Sequence, residues 1–133
     1  MIVLDASAGV AIAANQPAGL MLEPSLVAAG IVCAPGLYRV EVASAAWKHV
    51  RAGLASQDTA LALHARAVEL VDTFFDDTAL VRAALLEAIR LNHPVYDMVY
   101  LALARRTGAS LCTLDRRLTK IAGQIGLEVI GPD

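Results

Sequence analysis

Charge is scarce in this sequence. Only 18% of its 133 residues are Asp, Glu, Lys or Arg, and the formal balance is −2. So low a charge content with so many apolar residues excludes a disordered chain, which shows the opposite balance. The slightly negative sum also removes the global basic signature of a nucleic-acid binder. For a polyanionic target, local patches or metal ions would have to offset the chain's own charge. Aromatic residues make up only 5%, so no stacking surface is defined. The two cysteines, Cys33 and Cys112, stand singly in apolar runs without metal-ligand spacing, which predicts buried, reduced thiols. His49, His64 and His93 are not spaced as ligands either and read as structural or surface residues, so nothing points to zinc. Repeats, low-complexity tracts and linkers are missing, and a single domain over 1–133 is expected. The longest uncharged stretch, 6–22, holds Asn15, Gln16, Pro17, Gly9 and Gly19, and is a poor membrane span. The apolar N-terminal run is preceded by no basic residue and is broken by Asp5, which argues against a signal peptide. A soluble, cytoplasmic protein is the expectation.

What the chain has in abundance is apolar sequence: 57% of residues, with short runs that do not alternate. Strands are expected at 1–4 (MIVL), 31–35 (IVCAP), 71–75 (VDTFF), 109–114 (ASLCTL) and 127–130 (LEVI). Between them, helices are expected at 6–14, 19–29 (kinked at Pro24 or starting there), 37–52 and 57–70, the last capped by Ser56. Further helices should run from Asp76 or Asp77 to Leu91, from Pro94 to Arg106, and from Asp115 to about Ala122. Continuous apolar strands alternating with helices predict an α/β fold with a mainly parallel sheet covered on both faces. Such sheets bind ligands outside the carboxyl ends of their strands.

Four acidic residues stand at positions that this topology brings toward that edge. Asp5 directly follows the first strand and Asp115 the fourth. Glu41 and Asp97 lie near helix starts, each after a proline-containing turn. In PVYDMVYLALA (94–104) Asp97 is the lone charge of a helix apolar on every face. Such a helix is buried, so Asp97 is expected to be a buried carboxylate; the plainer reading is that it favours the helix dipole. Glu41 has no basic partner at i+3 or i+4, and Asp5 and Asp115 also suit helix N-caps. Carboxylates gathered without a counter-ion raise one another's pKa. A hard divalent cation relieves that penalty and, in phosphodiester hydrolysis, generates the attacking hydroxide and stabilises the leaving oxygen.

At these residues the chain resembles the PIN domains, specifically the VapC-type toxins of bacterial toxin–antitoxin pairs. The likeness is carried by IVLDAS (2–7), YRVEVASAAWK (38–48), PVYDMVYLALA (94–104) and LCTLDRRL (111–118), in the family's order and spacing. The resemblance implies a three-layer α/β/α PIN-like fold. It further implies a Mg²⁺- or Mn²⁺-dependent endoribonuclease with Asp5, Glu41, Asp97 and Asp115 as catalytic metal ligands. Ser7 and Thr113 match supporting hydroxyl positions, although hydroxyls near strand ends often serve only local backbone groups. An RNA substrate, a cognate VapB-type antitoxin and frequent homodimerisation are implied too. Arg116, Arg117 and Lys120 are candidates for substrate phosphates, or else a solvated basic face; Arg39, Lys48 and Arg51 are weaker ones. Trp47 and Tyr100 read as core or interface residues.

Two other phosphoryl-handling designs fit less well. A haloacid-dehalogenase-type phosphatase needs a second Asp where Ser7 stands. A receiver domain needs an acidic pair after the first strand and a Lys after the last. A PIN-fold protein outside a toxin–antitoxin pair, as an RNA-processing nuclease or a vestigial interaction module, is the alternative that remains.

Overall fold

The computed structural model describes residues 1–132. Its order is β1 (Ile2–Leu4), α1 (Ala6–Ala13), α2 (Pro17–Ala29), β2 (Val32–Pro35), α3 (Leu37–Arg51), α4 (Gln57–Glu69) and β3 (Thr73–Phe75). A 3₁₀ turn (Asp77–Ala79) leads to α5 (Val81–Leu91), α6 (Val95–Thr107), β4 (Ser110–Cys112), α7 (Arg116–Gln124) and β5 (Val129–Ile130). The five strands form one sheet in the order β3-β2-β1-β4-β5, and every pairing is parallel.

That strand order decides where a site can form. From β1 to β3 the chain steps outward in one direction; after β3 it crosses back and continues the other way through β4 and β5. Right-handed crossovers then put α1–α4 on one face and α5–α7 on the other. The result is the three-layer α/β/α architecture. The reversal falls between β1 and β4, and a crevice opens there at the carboxyl ends of the strands. Asp5 follows β1 and Asp115 follows the end of β4, so the two flank the crevice.

The core explains the apolar runs. Val3, Leu4, Cys33, Ala34, Leu111 and Cys112 are fully buried, and α6 is buried continuously from Met98 to Ala104. The α6 helix packs on β1, β2 and β4, so it has no solvated face. Two glycines permit close helix packing. A Cβ on Gly19 would sit 2.2 Å from the Ala11 backbone, and one on Gly9 would sit 2.1 Å from the Tyr38 hydroxyl. Tyr38 thus lies across α1, its hydroxyl donating to Ala67 O at 2.7 Å.

Several expectations change in detail. The second helix begins at Pro17 and continues through Pro24, because proline at its first position needs no N–H partner. Strands β4 and β5 are shorter than the apolar runs that suggested them. Asp76 caps only the 3₁₀ turn, while Asp77 turns back to accept from Leu37 N at the start of α3. Trp47 is 54% exposed and does not belong to the core. Among the described residues, no helix is long and apolar enough to cross a membrane.

Candidate active site at the carboxyl edge of the sheet

Asp5 is the anchor of the edge. It leaves β1 in an extended conformation and caps α1, its Oδ1 accepting from Ala8 N at 3.0 Å and from the Ser7 hydroxyl at 2.7 Å. Its Oδ2 accepts from the Thr113 hydroxyl at the end of β4. The side chain is buried, and loss of solvent pushes its pKa up to about 6 against the lowering effect of these donors. The charge of Asp97 pushes the same way, so the two carboxylates feel each other across the crevice.

Glu41 stands one turn into α3, which leaves β2 at the same edge. Its Oε1 accepts from the Tyr100 hydroxyl at 2.5 Å. Burial raises its pKa, the Tyr100 bond opposes this, and Asp97 and Asp77 add to the rise. Asp97 lies in the first turn of α6. Since α6 ends where β4 begins, its first turn lies at the opposite, carboxyl-terminal edge. Here the expectation of full burial fails: the Asp97 side chain is 30% exposed. The helix is covered only from Met98 onward, and its first turn projects beyond the sheet with Tyr96 exposed.

Asp115 sits differently. Its Oδ1 caps α7, accepting from Arg117 N at 2.8 Å and Leu118 N at 3.0 Å. Its own N–H donates to the Thr113 hydroxyl at 3.0 Å. Thr113 therefore ties Asp5 to the Asp115 turn, and Ser7 does so too by accepting from Leu114 N at 3.0 Å. Arg116, Arg117 and Lys120 are exposed on α7 just beyond.

The structure thus brings Asp97 into electrostatic reach of both Asp5 and Glu41 and leaves Asp115 at the rim as a cap. Among the described residues, no three His, Cys, Asp or Glu side chains are grouped closely enough to hold a metal ion directly. A ready-made all-protein cage is therefore not built. The donor chemistry still fits a hard cation of the Mg²⁺ kind, which keeps several waters and is bound through one or two carboxylates. Asp5 and Glu41, raised by burial and by a neighbouring negative charge, are carboxylates that such a cation would relieve. Among the described residues, Glu41, Asp97 and Asp115 each keep one oxygen without a protein donor: Glu41 Oε2, Asp97 Oδ1 and Asp115 Oδ2.

Sequence reasoning missed three participants. Tyr100 read as a core or interface residue, and it is buried, yet its hydroxyl holds Glu41. His93 read as structural or surface, and its Nε2 lies 2.6 Å from Asp97 Oδ2. Asp77 read as a helix cap, and its charge bears on Glu41. The i, i+4 spacing of His93 and Asp97 was the one available signal.

Comparison with known proteins gives the family and the fold. The chain is 32% identical to ribonuclease VapC3 of Pyrobaculum aerophilum over 90% of its length and 92% of that protein's. Its fold matches the crystal structure of PAE2754, also from Pyrobaculum aerophilum, with a TM-score of 0.73 at 24% identity, covering 90% of this chain and 78% of that one. It also matches VapBC2 from Rickettsia felis, solved bound to a DNA fragment from their promoter, with a TM-score of 0.67 at 14% identity over the whole of both chains. The family model described as PIN domain matches residues 2–124. On that match, and on the likeness to VapC3, the chain belongs to the PIN domain family.

Proposed function

We propose that the chain, as one PIN domain, is a divalent-metal-dependent endoribonuclease and the toxin half of a toxin–antitoxin pair. The observation that carries the reading is the set of carboxylates at the β1/β4 crevice. Burial raises the proton affinity of Asp5 and Glu41, and the charge of Asp97 adds to both rises, at the edge where a parallel sheet binds its ligands. The likeness to a protein known as a ribonuclease supports the substrate class.

In this reading Asp5 and Asp97 are the central ligands of Mg²⁺ or Mn²⁺, and Glu41 and Asp115 complete the shell through water. The metal, when bound, supplies a water of lowered pKa and a positive charge for the phosphodiester oxygens. The chain's own residues do the rest. Ser7 and Thr113 hold both oxygens of Asp5, so the carboxylate enters the crevice in one orientation. Tyr100 fixes Glu41 by Oε1 and turns Oε2 outward. Arg116, Arg117 and Lys120, exposed beside Asp115, offer phosphate contacts that hold the RNA strand against the edge.

The exposed apolar surfaces suit the partners. Between α3 and α4 lies a groove of about 430 Å³, lined by Ala46, Trp47, Val50, Leu61 and His64; it is assigned to the antitoxin. Val81, Leu85 and Ile89 form an exposed stripe along α5, and it is assigned to a second copy of the chain.

Purified protein should cleave total RNA with Mg²⁺ or Mn²⁺, and EDTA should abolish the cleavage. Asp97→Asn should lower it more than about 100-fold, beyond the loss expected from removing an outer partner. Undiminished cleavage by Asp97→Asn, or cleavage indifferent to EDTA, overturns the reading.

A further inference from the structure

We propose that His93 is the positioning residue of Asp97, its imidazole Nε2–H holding the Oδ2 oxygen so that Oδ1 faces the crevice; this rests on the metal-dependent reading above.

The chain around Asp97 is built in a way that leaves the carboxylate without a local backbone role. Pro94 is the N-cap of α6, and Asp97 stands three residues later. An acid at that place in a helix ordinarily reaches back to the N–H of the cap residue. Proline has no N–H, and Asp97 accepts no backbone bond among the described residues. Its protein partner is the residue just before the cap. His93 lies in the turn that joins α5 to α6, its side chain only 2% exposed, and Nε2 reaches Asp97 Oδ2 at 2.6 Å.

The other ring nitrogen identifies the donor. His93 Nδ1 is buried with no hydrogen-bond partner. A buried N–H without an acceptor is rarer than an unused acceptor, so the arrangement that fits places a hydrogen on Nε2, pointed at Asp97, and leaves Nδ1 as an unused acceptor. The ring is buried, which restricts its movement away from Asp97. Asp97 would otherwise be free to turn about χ1 in its exposed first turn; with Oδ2 held, one rotamer remains. An outer donor that fixes the orientation of a ligating group commonly changes metal affinity 10- to 100-fold when removed.

The test compares wild type with His93→Leu, His93→Gln, Asp97→Asn and the double variant His93→Leu/Asp97→Asn. Each is measured for Mn²⁺ affinity by calorimetry, for kcat and KM on RNA, and for metal-free thermal stability. His93→Leu should weaken Mn²⁺ binding about 10- to 100-fold and lower kcat with KM for RNA unchanged. His93→Gln places an amide N–H near the Nε2 position and should restore Mn²⁺ affinity to within a few-fold, whatever its stability. In the Asp97→Asn background, His93→Leu should cause no further loss. Mn²⁺ binding unchanged in His93→Leu overturns the assignment, as does a further loss in the double variant. Should His93→Leu fail to fold, His93→Gln decides: near-wild-type affinity supports the role, and affinity as poor as Asp97→Asn overturns it. Wild type that neither binds Mn²⁺ nor cleaves RNA sinks the functional reading itself, a different result from wild type that does both while His93→Leu does as well.

Discussion

The two sides of the crevice are built on different terms. On the strand side, Asp5 is buried and both its oxygens are occupied, by Ser7, Ala8 N–H and Thr113. On the helix side, Glu41 and Asp97 are partly exposed, and each is held by a single side-chain donor. The strand side is fixed by the sheet itself, since Asp5 N donates to Cys112 O as the β1–β4 ladder ends. The helix side depends on side chains that reach across from other elements. The crevice therefore joins one carboxylate held by several donors to two that are each held by one side chain. Removing one donor should cost stability on the strand side and should cost metal geometry on the helix side.

The largest effect expected is at Asp5. Asp5→Asn should reduce RNA cleavage more than about 100-fold while stabilising the metal-free protein at neutral pH. The gain should be on the order of 3 kcal/mol, since the rise from 3.8 to about 6 is about two units and each unit is worth about 1.4 kcal/mol. Chemical denaturation with and without Mn²⁺ measures both sides of this; a less stable variant would show that the buried charge is not the cost it appears from the geometry.

The same shift sets a pH dependence. Asp5 has a folded pKa of about 6 against an ordinary value of 3.8. The folded state then binds more protons than the unfolded one between these values, so this contribution is fully present below about pH 4 and is lost as pH rises through about 6. Glu41 is raised as well and acts in the same direction. Metal-free protein should lose stability on going from pH 4.5 to 7, and Asp5→Asn should flatten that slope. A flat wild-type profile would remove the distinction between the two sides.

Thr113→Val is next. It removes the donor to Asp5 Oδ2 and the acceptor of Asp115 N–H together, at a buried position. The expected cost is about 1–3 kcal/mol of stability, read as a lowered thermal midpoint. Tyr100→Phe is its helix-side counterpart. Loss of one hydroxyl there should cost about 1 kcal/mol and about ten-fold in cleavage. A stability loss in Tyr100→Phe as great as in Thr113→Val would erase the contrast.

The smallest effects belong to the basic residues beyond the crevice. Arg116→Ala, Arg117→Ala and Lys120→Ala should each weaken RNA binding modestly and uniformly, and reduce the salt slope of binding by about one. An unchanged salt slope would make them a solvated face only.

Local chemistry made much of this legible. Apolar runs that do not alternate announce buried parallel strands, and Asp5 and Asp115 stand directly after two of them. Position after a strand is a one-dimensional property, so the carboxyl edge could be read without coordinates. Glu41 leaned on family likeness, because one turn into a helix a residue can face any direction. Asp97 was legible as an anomaly, a lone charge in an apolar helix, but its burial was misjudged: periodicity describes a helix as a whole and cannot show that the first turn overhangs the sheet.

The strand order was beyond the sequence, and with it the crevice between β1 and β4, because pairing unites residues more than a hundred positions apart. So were the partners of the carboxylates. Thr113 reaches Asp5 across 108 positions and Tyr100 reaches Glu41 across 59, distances over which no local pattern survives. The amino-acid sequence by itself determined the segments and the burial of the apolar strands, and it marked four acidic candidates, since segments and strand burial follow from hydrophobicity and local backbone preference. Only the tertiary structure decided which oxygens are held and which are free, because a hydrogen bond depends on where two side chains end and not on where they are written in the chain.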